Sequence, residues 1–491
     1  MTRSRPPDRL PPEVLTRPDF RQACSSRDLG AIFAIAAQRG GPGFTRSHIA
    51  RRCEMGVSRV IDYIEGRKQA QSIEVFERVC DGLGIPGAML GVSRRSWEET
   101  GDSTKDSAAA GSQREWVRER ALLNQNRAKL TQIAVDLYPE SARLGRTGIL
   151  MRPEWKLDHP IDLASVGIEL THSAEPAVTG RHEETRTVRP LASAGKHYDT
   201  YHRAMRDLDR PRLFENRICY RLQDAQFGHG RGHLSLGYMR YFDMIDVGEA
   251  LAHELAITVL DKEGNPTGVP PDQLHGQLPF RRFTGDPFDL HAYPLLFSIS
   301  TLTIRRSRAC NTFVLLRRGM ELVAIAGGML SVMPTGVFQP ASIMPTHDSP
   351  DFDIWRNMMR EYSEEFLGNP EHDGDGDPID YEHQEPFRSL NEARREGRIK
   401  VDFLGIGIDA LNFVGDALTV AVFEADTFDE IFRDMVHVNE EGTVAKGRNN
   451  LESFVFDDAT IEGLLTTEAI ASSGAACLTL ASRHREVLLG R

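Results

Sequence analysis

In residues 25–95, apolar side chains recur every three or four positions, and a Ser, Thr or Asp precedes each repeat. This spacing puts the apolar side chains on one face of a helix, and the preceding side chain caps the first turn. The predicted caps are the stretch Ser26-Arg27-Asp28, then Thr45, Ser58 and Ser72, and the fourth helix carries Ile73 among its apolar positions. The pattern predicts an all-α domain of short helices.

Residues 96–145 combine a polar stretch with a longer helical pattern. Residues 96–113 are small, polar and acidic, which is typical of a linker. The helix predicted for 114–137 has an apolar residue at every seventh position, at Trp116, Leu123, Leu130 and Leu137. Such a repeat can form one side of a dimer seam, but the second core position of each heptad is mostly polar. We therefore expect this helix to pack on the rest of the protein.

Residues 146–290 alternate strand and helix signals, which predicts an α+β region. A glycine-rich stretch at 228–233 lies between two predicted strands, 217–223 and 233–241. A phosphate-binding loop would stand between a strand and a helix, so a strand-to-strand loop is the favoured interpretation. The pair His253-Glu254 has no second histidine four residues later, so it is not a zinc-protease motif.

The stretch from Gly336 to Gly368 contains a strongly patterned helix. Ser349 is the predicted cap, Pro350 the first helical residue, and Gly368 the end of the helix. One face is an apolar stripe made of Trp355, Met358, Met359, Tyr362 and Phe366. A different face gathers three carboxylates, Glu361, Glu364 and Glu365. They are typical either of a solvated acidic surface or of a site for a hard cation such as Mg²⁺ or Mn²⁺.

Charge is distributed unevenly along the chain, whose net charge is −12. Residues 1–95 hold 16 Lys and Arg against 10 Asp and Glu, so they carry +6 and the remaining residues carry −18. The overall acidity argues against a general polyanion binder. A basic head on an acidic body instead indicates a local contact with nucleic acid.

The six cysteines are scattered without a C-x-x-C pair. This argues for reduced thiols and a cytoplasmic setting, and against structural zinc or a disulfide framework. The sequence contains no run of 18 apolar residues, so no membrane span is expected. Its first 15 residues lack the apolar segment of a secretory signal.

Residues 45–50 (TRSHIA), 56–67 (GVSRVIDYIEGR) and 83–86 (LGIP) carry a family likeness. They resemble the Cro/repressor (XRE-type) helix-turn-helix domain, whose third helix enters the major groove of DNA. Two departures bear on base preference: Arg46 stands where the family usually has Gln, and the turn 53–55 lacks the usual glycine. The alternative is a helical module used only for protein contact.

The helix-turn-helix resemblance assigns roles to seven residues and implies double-stranded DNA as the partner. Ser58, Arg59 and Asp62 would face bases, and Arg46 and Ser47 would contact bases or phosphates. Arg67 and Lys68 would contact phosphates. Because such domains usually bind paired half-sites, the resemblance also implies a homodimer.

The run Arg360-Glu361-Tyr362-Ser363-Glu364-Glu365 resembles the core of the Nudix box, G-x5-E-x7-R-E-U-x-E-E-x-G-U. The resemblance implies an α/β/α sandwich whose three glutamates hold a divalent metal, with Arg360 as a structural partner. The box departs upstream, because Gly336 lies 24 positions before Arg360 instead of 14, and position 342 is Ser342 rather than Glu. Downstream, the closing glycine comes one residue late.

The sequence thus predicts a multidomain protein with α and α/β parts. Its expected order is a loose arm (1–24), a helix-turn-helix domain (25–95), a linker with a connecting helix (96–145), an α+β middle region (146–290) and a Nudix-like domain (291–491). Whether the middle region is separate or extends the Nudix-like sheet stays open.

Two functions fit these features. The favoured hypothesis is a transcriptional regulator whose Nudix-like domain senses a small, nucleotide-related ligand, since a sensor can lose catalytic groups and keep its pocket. The alternative is a Mg²⁺-dependent hydrolase of a nucleoside diphosphate derivative. In that case Asp402, Asp409 and Glu424 are candidates for the general base by their carboxylates alone.

Overall fold

The computed structural model describes residues 10–41, 44–70, 72–93, 95, 105–172, 174–211, 214–318, 328–341, 351–370, 379–436, 442–445 and 453–490. The protein is a mixed α/β, multidomain chain that divides into two compact units, Met1–Ser107 and Ala108–Arg491. Within the described residues, no helix combines the length and the hydropathy needed to cross a bilayer.

Unit 1 is helical throughout its described part. Its helices are α1 (Pro12–Leu15), α2 (Pro18–Ser25), α3 (Leu29–Arg39), α4 (Arg46–Cys53), α5 (Val57–Ile64), α6 (Ile73–Leu83) and α7 (Gly87–Leu90). Phe20, Phe33, Ile49, Val60 and Val79 are completely or almost completely buried in one core. The all-α character predicted for residues 25–95 is therefore correct, whereas the prediction of a loose arm is wrong for its described residues, because α1 and α2 pack Val14 and Phe20 into the same core.

Three of the four predicted caps hold their helices. Asp28 accepts a hydrogen bond from the Ala31 N–H at 3.0 Å, and Thr45 and Ser72 cap α4 and α6 in the same way. The prediction for Ser58 is wrong, because α5 begins at Val57 with Gly56 at the cap position. Ile73 is also misplaced by the pattern: it is 57% exposed, because the first turn of α6 lies beyond the core.

Close packing and an ion-pair network shape unit 1. A Cβ on Gly30 would lie 2.2 Å from the Tyr63 carbonyl oxygen, so glycine lets α3 cross α5 closely. At the other end, the buried Arg95 guanidinium bonds Glu77 at 2.9 Å and Asp81 at 2.6 Å. These bonds attach the last described residue before the linker to α6.

Unit 2 contains the remaining helices and all the strands of the described residues. Its helices are α8 (Lys105–Gln125, which begins just before the boundary), α9 (Arg127–Val135), α10 (Tyr201–Leu208), α11 (Tyr241–Met244), α12 (Ala250–Val259), α13 (Pro271–Leu274), α14 (Pro279–Thr284), α15 (Ile354–Glu361), α16 (Phe387–Arg395), α17 (Ala425–Ile431), α18 (Asp458–Thr467), α19 (Ser472–Arg483) and α20 (Arg485–Leu489). Two π-helical turns, Ile245–Glu249 and Tyr362–Phe366, join α11 to α12 and extend α15.

The strands of unit 2 are β1 (Ile149–Leu150), β2 (Lys156–Asp162), β3 (Val166–Leu170), β4 (Leu191–Ser193), β5 (Lys196–His197), β6 (Ile218–Gly228), β7 (Arg231–Arg240), β8 (Phe297–Arg306), β9 (Thr312–Phe313), β10 (Leu315–Arg318), β11 (Leu330–Val332), β12 (Thr335–Val337), β13 (Ile399–Asp409), β14 (Gly415–Glu424), β15 (Gly442–Val444) and β16 (Phe454–Val455). They form one eight-stranded sheet, two three-stranded sheets and a two-stranded ribbon.

The predicted connecting helix differs from the structure in extent and continuity. Helix starts at Lys105, so the described part of the predicted linker, 105–113, is helical, and a break at Asn126 separates α8 from α9. Trp116, Leu123 and Leu130 are buried within unit 2. The expected packing on the body is therefore confirmed for these side chains, and they are not available for a dimer seam.

The large sheet has the order β1-β13-β14-β8-β9-β16, with β2 also pairing with β13 and β12 with β8. Strands β13 and β14 are antiparallel, whereas β14 and β8 run parallel with Thr419 opposite Thr301. Because β1 and β2 come from residues 149–162, the sheet includes strands from both the predicted middle region and the predicted C-terminal region. One hydrophobic core likewise contains buried residues from both regions.

Helices cover both faces of the large sheet. Successive residues of a strand point to opposite faces, and Ser300 and Thr303 of β8 lie on different faces. The Ser300 hydroxyl bonds Ser473 of α19 at 2.9 Å, whereas the Thr303 hydroxyl bonds Tyr362 at 2.8 Å. The helix that carries the predicted glutamates therefore packs on the face opposite α19.

The glycine-rich stretch of the middle region is the turn of a hairpin. Strands β6 and β7 pair antiparallel, and only His229 and Gly230 separate Gly228 from Arg231. Both turn residues have positive φ, 51° and 71°, as two-residue hairpin turns require. The strand-to-strand interpretation is confirmed.

Candidate functional sites

Helices α4 and α5 follow one another directly and are joined by a short turn. Helix α4 ends at Cys53, Glu54 takes a left-handed conformation with φ 57°, and three residues separate the end of α4 from the start of α5. Arg78 of α6 donates a hydrogen bond to the Glu54 carbonyl oxygen at 2.9 Å and so holds this turn. Glu54 thus supplies the chain reversal for which a glycine was expected.

The residues that open α4 and α5 lie at the surface. Arg46, Ser47 and Ser58 are exposed, and Arg59 is half-buried. These side chains are polar or cationic, and they lie at helix N-termini, where backbone N–H groups also favour an anion. This part of unit 1 is therefore chemically suited to a polyanionic partner.

The last predicted DNA contacts interact with one another. Arg67 donates to the Asp62 carboxylate at 2.8 Å and also pairs with Glu65, whereas Lys68 is exposed. To make the predicted DNA contacts, Asp62 and Arg67 would have to break their ion pair. Asp62 would then face a base, and Arg67 would contact a phosphate. The two residues are coupled, a relation that their separate roles in the family pattern did not indicate.

The glutamate-bearing helix begins later than predicted. Ser349 and Pro350 lie outside the described residues, Asp351 is not helical, and α15 starts at Ile354. Asp353 is the observed cap, since it accepts a hydrogen bond from the Arg356 N–H at 2.8 Å. The predicted apolar stripe is confirmed, because all five of its side chains are buried.

Two of the three predicted metal ligands contact β12. The Glu365 carboxylate accepts a hydrogen bond from the Thr335 N–H at 2.8 Å and is buried. A Cβ on Gly336 would lie 2.1 Å from the Glu361 carboxyl carbon, so the glycine makes room for that side chain. Glu364 is half-buried. No described group of three or more His, Cys, Asp or Glu side chains is arranged to hold a metal ion.

Arg360, beside the glutamates, joins three parts of the chain. Its buried guanidinium donates to the Tyr381 hydroxyl at 2.7 Å and to the Gln339 carbonyl oxygen at 2.5 Å. The Tyr381 hydroxyl in turn donates to the Asp351 carboxylate at 2.7 Å. Burial raises the pKa of Tyr381, and the negative charge of Asp351 also raises it. Arg360 is therefore a structural ion-pair partner, the role that the resemblance implied.

The three candidate general bases lie in different settings. Burial raises the pKa of Asp402 and Asp409, whereas Glu424 pairs with Arg306 at the surface. Sequence reasoning missed a fourth carboxyl, Asp416, which is buried and accepts a hydrogen bond from Ser300 at 3.0 Å. Burial raises the pKa of Asp416 to about 7. An acidic residue within an otherwise apolar strand was the available signal.

A second feature missed from sequence is a buried polar network on α8, α9 and α12. Glu249, in the π turn before α12, accepts hydrogen bonds from Arg120 at 3.2 Å and Arg127 at 2.6 Å. Tyr201 bonds Arg120 at 3.0 Å and His253 at 2.8 Å. Burial alone would raise the pKa of Glu249, but the two guanidinium groups hold it below its ordinary value. The network anchors α8 to the body.

No protein-family model matches the sequence, and no curated protein is similar enough to align with it.

Proposed function

We propose that this protein is a DNA-binding transcriptional regulator whose α/β unit senses a small ligand. One observation carries the proposal: exposed Arg46, Ser47 and Ser58, with half-buried Arg59, open two consecutive helices joined by a three-residue turn. The region containing them carries +6, while the remainder of the chain carries −18. A basic helical head reads DNA through such residues, and the acidic body stays away from the polyanion.

The proposed contacts divide into two kinds. Ser58 and Arg59 face base edges, and an arginine on guanine is worth about 1–3 kcal/mol of discrimination. Arg46 and Ser47 contact bases or phosphates, while Arg67 and Lys68 contact phosphates and supply salt-dependent affinity. Asp62 contributes to base reading once Arg67 turns to a phosphate. A homodimer would place two such heads on half-sites one helical turn apart.

The test is selection of binding sites from random double-stranded oligonucleotides with the full chain. We expect enrichment of a repeated half-site and a dissociation constant of about 10⁻⁸ to 10⁻¹¹ M at physiological salt. The Arg46→Ala, Arg59→Ala double variant should lose at least about tenfold in affinity. Arg21→Ala removes an exposed charge of the same unit outside the two helices and should change little.

Failure of the selection to enrich any sequence, with equal binding of the wild type and the double variant, would contradict DNA reading by this unit. Circular dichroism of each variant checks that the helices remain folded.

A second candidate, a Mg²⁺-dependent hydrolase of a nucleoside diphosphate derivative, is favoured by the contact of Glu361 with Gly336 and of Glu365 with Thr335. These contacts bring two carboxylates close to one strand. Carboxylate oxygens are the ligands that Mg²⁺ prefers. In that function Glu361, Glu364 and Glu365 would hold the metal, and the metal would orient water and neutralise diphosphate charge.

Turnover of nucleotide sugars, dinucleotides and nucleoside di- and triphosphates in the presence of Mg²⁺ distinguishes the two functions. Turnover that is lost in Glu361→Gln and Glu364→Gln variants would make the protein an enzyme with a DNA-reading head. We exclude Glu365 from this control, because it also holds the Thr335 N–H. We expect no turnover, which is the result that a ligand sensor gives.

A further inference from the structure

A cavity of about 680 Å³ opens where the last turn of α16 meets the start of β13. Cavities of roughly 300–1,000 Å³ are typical of sites for small ligands. Its charged lining comes from β2, α16, β13 and the turn before α16, and consists of Asp162, Glu382, Arg394, Arg395 and Lys400. It includes none of the three glutamates discussed above.

Most of these charges already have partners. Arg395 lies 3.6 Å from Glu382, and Lys400 lies 2.9 Å from Asp402. The Asp162 carboxylate accepts a hydrogen bond from the Ala164 N–H at 2.9 Å. Among the cations of this lining, Arg394 is therefore the one for which the described residues provide no ion pair.

Arg394 differs from the buried arginines of the same unit. Among the described residues, no carboxylate oxygen lies within 4.0 Å of its guanidinium and no hydrogen bond holds it, whereas Arg120, Arg281 and Arg360 each make several hydrogen bonds. Asp162 and Asp353 attract it only through space, and burial holds its pKa below the ordinary value. Partial burial of an unbalanced cation is unfavourable, and an anionic ligand would relieve it.

The Arg394 guanidinium is also held in place. Its central carbon lies 4.9 Å from the centre of the Trp355 ring. The Trp355 N–H donates to Asn391 at 2.8 Å, and the Asn391 amide donates to the Tyr381 carbonyl oxygen at 2.8 Å. A guanidinium that is positioned before binding loses less conformational freedom when its ligand arrives.

We propose that this cavity binds the phosphate group of a small phosphorylated sugar or nucleotide, with Arg394 as the main phosphate contact. Arginine presents parallel N–H donors that match two phosphate oxygens. Lys400 and Arg395 also line the cavity and add positive charge for a dianion, while Asp162 and Glu382 accept hydrogen bonds from ligand hydroxyl groups. A phosphate site here would identify the class of ligand that the proposed regulator senses. Only this sensing role, and not phosphate binding itself, rests on the proposed function.

The test is isothermal titration calorimetry of the full chain with ribose 5-phosphate and with inorganic phosphate at constant ionic strength. Ribose and succinate serve as comparators for the hydroxyl groups and for a carboxylate dianion. We expect saturable binding of the two phosphate compounds and none of ribose. Arg394→Gln should weaken phosphate binding about tenfold to hundredfold, as loss of a charged hydrogen bond does.

The matched control is Arg388→Gln, on the same helix. Arg388 pairs with Glu385 and does not line the cavity, so this variant should bind like the wild type. Equal weakening in both variants, or no saturable binding of either phosphate compound to the wild type, would overturn the site. Binding of succinate alone would overturn its assignment to phosphate.

Tryptophan fluorescence locates the ligand independently. Phosphate bound to Arg394, whose guanidinium lies over the Trp355 ring, should change the emission of that ring, and Trp355→Phe should remove the change. An unchanged signal in Trp355→Phe would place the ligand elsewhere. Calorimetry needs no DNA, so the phosphate site and DNA reading can fail separately; addition of ribose 5-phosphate to the protein–DNA complex then tests whether they are coupled.

Discussion

The α4–α5 region and the α15 region each carry a cluster of charged residues, and the two clusters have different surroundings. Arg46, Ser47 and Ser58 extend from helix starts into solvent. On α15, by contrast, Arg360 is buried among three partners and Glu365 holds a backbone N–H of β12. A charged residue in solvent is available to a partner at little cost, whereas a buried one with good hydrogen bonds already stabilises the fold.

The comparison predicts its largest effect for Arg360. Arg360→Met leaves Asp351 and Tyr381 without their cation, so unit 2 should lose about 3–5 kcal/mol of unfolding free energy. Urea denaturation followed by tryptophan emission measures it, because three of the four tryptophans, Trp116, Trp155 and Trp355, lie in unit 2. Arg356→Met, on the same helix and half-buried, is the control and should cost less than about 1 kcal/mol. Similar losses in the two variants would contradict the assignment of Arg360 as a structural group.

The second largest effect is expected on the pH dependence of the stability of unit 2. Burial raises the pKa of Asp416 to about 7 from an ordinary 3.8, so the folded protein keeps a proton that the unfolded chain releases. The free energy of unfolding of unit 2 should therefore fall as pH rises from about 4 to 7, by an amount on the order of 2–4 kcal/mol. Asp416→Asn should flatten this dependence.

The control for that measurement is Asp429, whose pKa the Arg305 ion pair lowers. Asp429→Asn should change the pH dependence only slightly and in the opposite sense, because solvent screens an exposed pair. A profile of Asp416→Asn that parallels the wild type between pH 4 and 7 would show that Asp416 does not retain its proton on folding.

Substitution of Arg59 should have a smaller effect on folding stability and a large effect on DNA binding. We expect Arg59→Ala to change the unfolding free energy by less than about 1 kcal/mol and to weaken DNA binding by about 1–3 kcal/mol. Thermal melting by circular dichroism and fluorescence anisotropy with a selected site measure the two quantities. A variant that melts early and binds DNA normally would reverse the contrast drawn between α4–α5 and α15.

The smallest stability effect is expected at Arg67. Its ion pairs with Asp62 and Glu65 are solvent-exposed, so Arg67→Ala should change the unfolding free energy by less than about 1 kcal/mol. Its DNA affinity should fall by a similar factor on every sequence, with a shallower salt dependence. A sequence-dependent loss would instead show that Asp62, released from Arg67, reads a base.

Helices α3 to α6 of unit 1 could be predicted because their causes are local, whereas α1 and α2 could not, because their burial depends on contacts with the rest of the unit. The caps at Asp28, Thr45 and Ser72 bond N–H groups two or three residues away, and the apolar spacing follows the pitch of the helix. Ser58 was wrongly predicted as a cap because α5 begins one residue earlier, at Val57, so that Ser58 lies inside the helix. The hairpin of β6 and β7 was predictable for the same local reason.

The sequence by itself determined the helical head, the buried stripe of α15 and the split between a basic and an acidic part, since periodicity and charge depend on neighbours in the chain. Only the tertiary structure placed β1 and β2 beside β13, joined Arg120 and Arg127 to Glu249, and placed Arg394 on Trp355 above a cavity. These contacts join residues that lie tens to hundreds of positions apart. The free energies of these contacts depend on how deeply the residues are buried and how closely they approach one another in the folded chain. A local pattern of residues does not give this information.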